Sequence, residues 1–132
     1  MSRFIKRNAW VIGLFVLFVL LLVVTKVIQP SYGSAGFASL VSAVLPFAFA
    51  VAAQTVVVIA GGIDLSIASM MALTSVTAAV LMDGASPEFA IVAVFLTLLL
   101  GVVLGAINGA LIVITRVPDI VVTLAMLFVW QG

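Results

Sequence analysis

No charged residue interrupts the chain between Lys26 and Asp64, and none between Glu88 and Arg116. A helix needs about 20 apolar residues to cross a hydrocarbon core of roughly 30 Å. Runs of this kind leave one architecture open, a set of helices inside a bilayer. Composition agrees: 67% of the residues are hydrophobic and 7% charged, where a soluble domain carries about 25% charged residues. The expected fold class is all-α, a polytopic transmembrane helix bundle.

The same composition excludes much chemistry. Without Cys there is no disulfide, thiolate metal site or Cys nucleophile, and without His the commonest general base and metal ligand is missing. Four carboxylates scattered along the chain make no catalytic or metal-binding cluster. A net charge of +1 gives no basic patch for nucleic acid. Neither an enzyme nor a cofactor is expected.

The charges and turn residues divide the chain. Span one covers about 9–28, span two 37–60 with Pro46 inside it, span three 67–82, span four 89–115, and a partial fifth 120–132. About four complete spans plus the start of a fifth result, and the sequence reads as the N-terminal part of a longer transmembrane domain. Arg3, Lys6 and Arg7 ahead of span one also fit a signal peptide. Signal h-regions run about 7–15 residues, however, and this apolar stretch is longer and followed by more spans.

Lys and Arg mark the cytoplasmic side. Four crossings place Arg3, Lys6, Arg7 and Arg116 together, with Lys26 opposite. The N-terminus is therefore expected in the cytoplasm, and Ser34 and Ser86 outside. Treating spans two and three as one re-entrant unit weakens that bias.

Between spans two and three lies GGIDLS, Gly61–Ser66. Gly61 and Gly62 can take the positive φ angles that end a helix. Asp64 or Ser66 can accept from the free N–H groups that start the next. This Gly-Gly break is either a capped turn or part of a pathway or gate, since irregular backbone at membrane depth is tolerated where protein or water covers it. Capping explains the residue types without any ligand.

Span four carries Gly101, Gly105 and Gly109 at four-residue spacing, a small-residue face for close helix packing, with Asn108 placed to hydrogen-bond across it. Packing within one subunit and a subunit interface both fit. Gln54, Thr55, Ser69, Thr74, Ser75 and Thr77 make spans two and three the expected lining helices, although Ser and Thr can also return to their own helix carbonyls.

GGIDLSIASMMALTSVTAAVL, Gly61–Leu81, resembles the signature of the ribose/xylose/galactose-type permeases of bacterial ABC sugar importers. GVVLGAINGALIVITRVPDIVVTL, Gly101–Leu124, resembles the next block of that family. Ile67 and Ala68 stand where the family usually has Val-Gly, and Gln131 where it often has Arg. Family members are also much longer, and their segment that engages the ATPase lies in the second half. The resemblance implies a bacterial inner-membrane, multi-pass permease subunit that forms the path for a pentose or hexose. Nucleosides, autoinducer-type furanoses and branched-chain amino acids are alternatives, as is a non-transporting membrane scaffold or a truncated gene product. The implied partners are a second permease copy or paralogue, a cytoplasmic ATP-binding subunit that hydrolyses ATP, a periplasmic sugar-binding protein and the lipid bilayer.

Overall fold

The computed structural model describes residues 7–132. Arg3 and Lys6, which enter the charge bias, lie outside the described residues. Five helices follow in order: α1 Ala9–Ile28, α2 Ser34–Ile59, α3 Ile67–Met82, α4 Pro87–Thr115 and α5 Asp119–Gln131. No strand occurs among the described residues.

Three helices, α1, α2 and α4, are long and apolar enough to cross a membrane. Helix α3 has 16 residues, and at 1.5 Å rise it reaches roughly 24 Å, less than the hydrocarbon core. Two starts fall earlier than the sequence reading has them. Helix α2 begins at Ser34 rather than residue 37, because the Phe37 amide already bonds to the Gly33 carbonyl at 3.0 Å. Helix α4 begins at Pro87 rather than residue 89. Its N-cap Ser86 accepts from the Phe89 amide, and proline at N1 needs no amide partner.

The chain divides into two compact units, Met1–Phe47 and Ala48–Gly132, with the division falling inside α2. In the first unit, Lys26 holds the turn after α1. Its ammonium donates to the carbonyls of Pro30 at 2.7 Å and Tyr32 at 2.6 Å. A cation at a helix C-terminus also complements the helix dipole.

In the second unit α3 packs against α4 and α5, and α4 against α5. Its buried residues include apolar Ala93, Leu104, Val122 and Met126, but also polar Ser66, Ser69, Asn108 and Thr123. Large apolar side chains such as Phe95, Leu98, Val102 and Phe128 instead face outward. Apolar side chains thus cover much of the outer surface while polar ones share the interior, unlike the usual distribution of a soluble domain.

Candidate functional site at the junction of residues 60–66 with helix α5

Helix α2 ends in a Schellman motif. The Gly61 amide bonds to the Val58 carbonyl and the Gly62 amide to the Val57 carbonyl, both at 3.0 Å. Gly61 takes φ +86°, the left-handed conformation that this motif asks of its C′ residue. Gly62 is needed for another reason. A Cβ there would lie 3.0 Å from Asp119 Oδ2 and 3.4 Å from Val57 Cγ1.

From Ile63 to Leu65 the chain is not helical, and backbone groups of Ile63 and Leu65 find partners on α5. The Ile63 amide donates to Asp119 Oδ2. The Leu65 amide donates to Thr123 Oγ1 at 3.1 Å, and Thr123 Oγ1 donates to the Ile63 carbonyl at 3.3 Å. Thr123 is buried and Asp119 half-buried.

Asp64 does not cap α3. The N-cap is Ser66, which makes no side-chain capping bond. Asp64 stands two residues ahead of it, so its Oδ1 reaches the Ser66 amide at 2.8 Å and the Ser66 hydroxyl at 2.6 Å, forming an Asx turn. The Ser66 hydroxyl has one proton, which the carboxylate takes. Its lone pair accepts from Asn108 Nδ2 at 2.7 Å. Asn108 Oδ1 in turn accepts from Trp130 Nε1 at 3.3 Å. A chain of hydrogen bonds thus runs from Trp130 on α5 through α4 to Asp64.

Gly61, Gly62, Asp64, Ser66 and Asn108 are therefore brought together. The glycine stripe is not: no neighbouring atom lies within 4 Å of an added Cβ at Gly101 or Gly109, and Gly105 meets only Met70 Cε at 4.0 Å. Asn108 bonds to the loop and to Trp130, not to a helix seated on that stripe.

Beside the junction lies a cleft of about 640 Å³, lined among others by Asp64, Asn108, Arg116, Asp119 and Thr123. Its walls come from the end of α2, the loop, α4 and α5; α3 contributes none of them. Two α3 hydroxyls are spent on their own helix, Thr74 on the Met70 carbonyl and Thr77 on that of Leu73, both at 2.8 Å, and Ser69 donates to the Ser66 carbonyl. Thr55 on α2 does the same with Val51 at 2.7 Å. Gln54 Oε1 is buried with no hydrogen-bond partner among the described residues.

Sequence reasoning missed Asp119, Thr123 and Trp130 as members of this site. The available signal was the spacing of Asp119 and Thr123, four residues apart and so on one helix face.

A family model described as branched-chain amino acid transport system / permease component matches residues 36–132. The chain belongs to this permease family. Among curated relatives, the autoinducer 2 import system permease protein LsrD of Escherichia coli (strain K12) is 40% identical over 78 residues. That match covers 59% of this chain and 23% of the relative. The LsrD proteins of Shigella flexneri and of Escherichia coli O157:H7 match with the same identity and coverage. The matched segment thus spans less than a quarter of these relatives. No solved structure matches the chain. Membership and the apolar helices together make this a multi-pass membrane protein of the permease class, a class that typically carries no enzymatic activity of its own.

Proposed function

We propose that residues 1–132 form the N-terminal part of the permease subunit of an ATP-driven importer, and that the subunit lines the path of a small polyhydroxylated solute. A pentose or hexose is the leading class. The import activity named for the LsrD relatives favours an autoinducer-type furanose among the alternatives, and the family's description keeps branched-chain amino acids in view. In this reading the chain has four crossings and the start of a fifth, with the break at Gly61 and Gly62 on the cytoplasmic side of the inner membrane. ATP hydrolysis belongs to a separate cytoplasmic subunit, and a second permease copy and a periplasmic binding protein complete the assembly.

The observation that carries the reading is a mostly apolar cleft that a few charged and polar groups enter. Asp64, Asp119, Arg116, Asn108 and Thr123 converge on it in a unit whose outward surface is largely apolar. Charged and amide groups among membrane helices are costly and tend to mark solute pathways. The Asp64 carboxylate and the Arg116 guanidinium are also the acceptor and donor that a hydroxyl-rich solute pairs with.

The test is uptake by the complete permease, co-expressed with its ATPase and binding protein in a host lacking sugar import. ATP-dependent accumulation of a labelled pentose, hexose or furanose supports the importer. Full assembly without accumulation of any of them supports a membrane scaffold instead.

A further inference from the structure

We infer that Asp119 and Thr123 are positioning residues for solute passage: they fix the register of the 60–66 loop on α5 and so hold Asp64 at the wall of the cleft. The inference rests on the importer reading above. The loop contacts α5 at two points, Ile63 on Asp119 and Leu65 on Thr123. Residues two apart in an extended segment are separated by about 6.6 Å. Residues four apart on a helix rise by about 6 Å. The two repeats match, so the segment lies along one helical turn of α5, its backbone polar groups answered by side chains.

Asp64 is the residue between the two anchored amides. Its own carboxylate is tied to Ser66, which is fully buried. A slip of the loop along α5 would therefore carry Asp64 and the Ser66–Asn108 bond with it. Thr123 is the more demanding of the two anchors. Its hydroxyl accepts from the Leu65 amide and donates to the Ile63 carbonyl, so it alone satisfies both polarities. Serine can replace it in both roles and the isosteric valine in neither. Asp119 acts only as an acceptor toward Ile63, a role that the carbonyl of asparagine can fill and alanine cannot. Unsatisfied backbone groups in an apolar setting drive rearrangement, so losing an anchor moves the loop rather than leaving it in place.

The experiment uses the complete permease assembled with its ATPase and binding protein in membrane vesicles. It reads uptake of the solute found above, ATPase rate and the half-saturating concentration of loaded binding protein, each per assembled complex. Thr123→Val should lower maximal uptake about tenfold, with half-saturation unchanged and ATP still hydrolysed, and Thr123→Ser should restore uptake. Asp119→Asn should retain uptake that Asp119→Ala loses, which serves if Thr123→Val fails to assemble. A role in stability alone would change the amount of complex but not uptake per complex; that result, or equal uptake by Asp119→Asn and Asp119→Ala, overturns the inference. Loop position is read separately by the labelling rate of Ala60→Cys with a maleimide. It should rise with Thr123→Val and return with Thr123→Ser. A rate indifferent to both removes the anchor itself. Wild-type complexes that import nothing defeat the importer reading, while leaving the labelling result to judge the anchor.

Discussion

Asn108 on α4 donates its side-chain amide to the Ser66 hydroxyl across 2.7 Å, joining residues 42 positions apart in a buried setting. Both faces of the amide are in use, since the Trp130 indole donates to its oxygen. Asn108→Leu removes both bonds, strands the indole N–H and leaves the Ser66 hydroxyl only its bond to Asp64. Hydrogen bonds between membrane helices average about 0.6 kcal/mol, with a maximum near 1.7. The expected loss is about 1–2 kcal/mol in a thermal or denaturant unfolding series in detergent. A Leu variant as stable as wild type would show that the bond contributes nothing.

The adjacent glycines should fail for different reasons. Gly61 has open space around it but a φ of +86°. Gly61→Ala should cost about 1 kcal/mol and Gly61→Asn less, because asparagine tolerates that backbone better. Gly62→Ala instead presses on the Asp119 carboxylate, 3.0 Å from the added Cβ. A double-mutant cycle separates the two. Asp119→Ala should relieve the Gly62→Ala cost by about 0.5 kcal/mol or more and leave the Gly61→Ala cost unchanged. Equal coupling at both positions would contradict this assignment.

Arg116 is the one non-glycine residue with positive φ among the described residues, at 56°. It ends α4 just before Val117 and Pro118, where a left-handed residue turns the chain into α5. That conformation costs an L-residue roughly 1–2 kcal/mol, and a β-branched side chain suffers most. Arg116→Gly should unfold no more readily than wild type, while Arg116→Val should lose about 1 kcal/mol against the Gly variant. Indistinguishable Gly and Val variants would mean that the turn does not depend on this angle.

Much of this architecture is legible in the sequence, and the reason is physical. Long apolar runs bounded by charges and turn residues have few alternatives to helix, so the limits of α1 and α3 fall where residues 9–28 and 67–82 put them. The pair Gly61 and Gly62 likewise announces the end of α2, because few other residues accept a positive φ at low cost. The partners of the loop are hidden for the opposite reason. Thr123 reads as one more β-branched residue in DIVVTLAMLF, and nothing local says that its hydroxyl serves a segment 58 residues earlier. The glycine stripe meets no packed helix among the described residues; its spacing shows that an approach is sterically open, not which neighbour fills it. Asp64 looks like a cap because a cap and an Asx turn use the same residue type one or two positions apart.

The orientation proposal gives a topology test. The two junctions at 60–66 and 116–119 meet through Ile63 and Asp119, and the four-crossing proposal accordingly puts both on one side of the membrane. The proposal, from the Lys and Arg bias, puts that side in the cytoplasm. The 132 residues contain no cysteine, so single introduced thiols report cleanly within this segment. In cells stripped of their outer barrier, an impermeant maleimide should label Ser34→Cys and Ser86→Cys but not Arg116→Cys. The reverse pattern would invert the topology.

Asp64 separates a structural role from a charge role. Its Oδ1 accepts from both the amide and the hydroxyl of Ser66. The carbonyl oxygen of asparagine accepts the same two bonds, so Asp64→Asn should keep the Asx turn and lose only the charge. Asp64→Ala loses the turn, leaves the buried Ser66 hydroxyl only the weak Met70 Sδ acceptor at 3.4 Å, and should cost about 1–3 kcal/mol. If the carboxylate only shapes the loop, uptake per folded complex stays near wild type for Asn, and for Ala falls with the amount of folded protein. If its charge acts on the solute or on a gate, the Asn variant assembles normally, hydrolyses ATP normally and imports little. The bonds to Ser66 account for the residue without its charge, so the Asn variant is expected to transport. An inactive, well-assembled Asp64→Asn complex would move Asp64 from the wall of the cleft to its function.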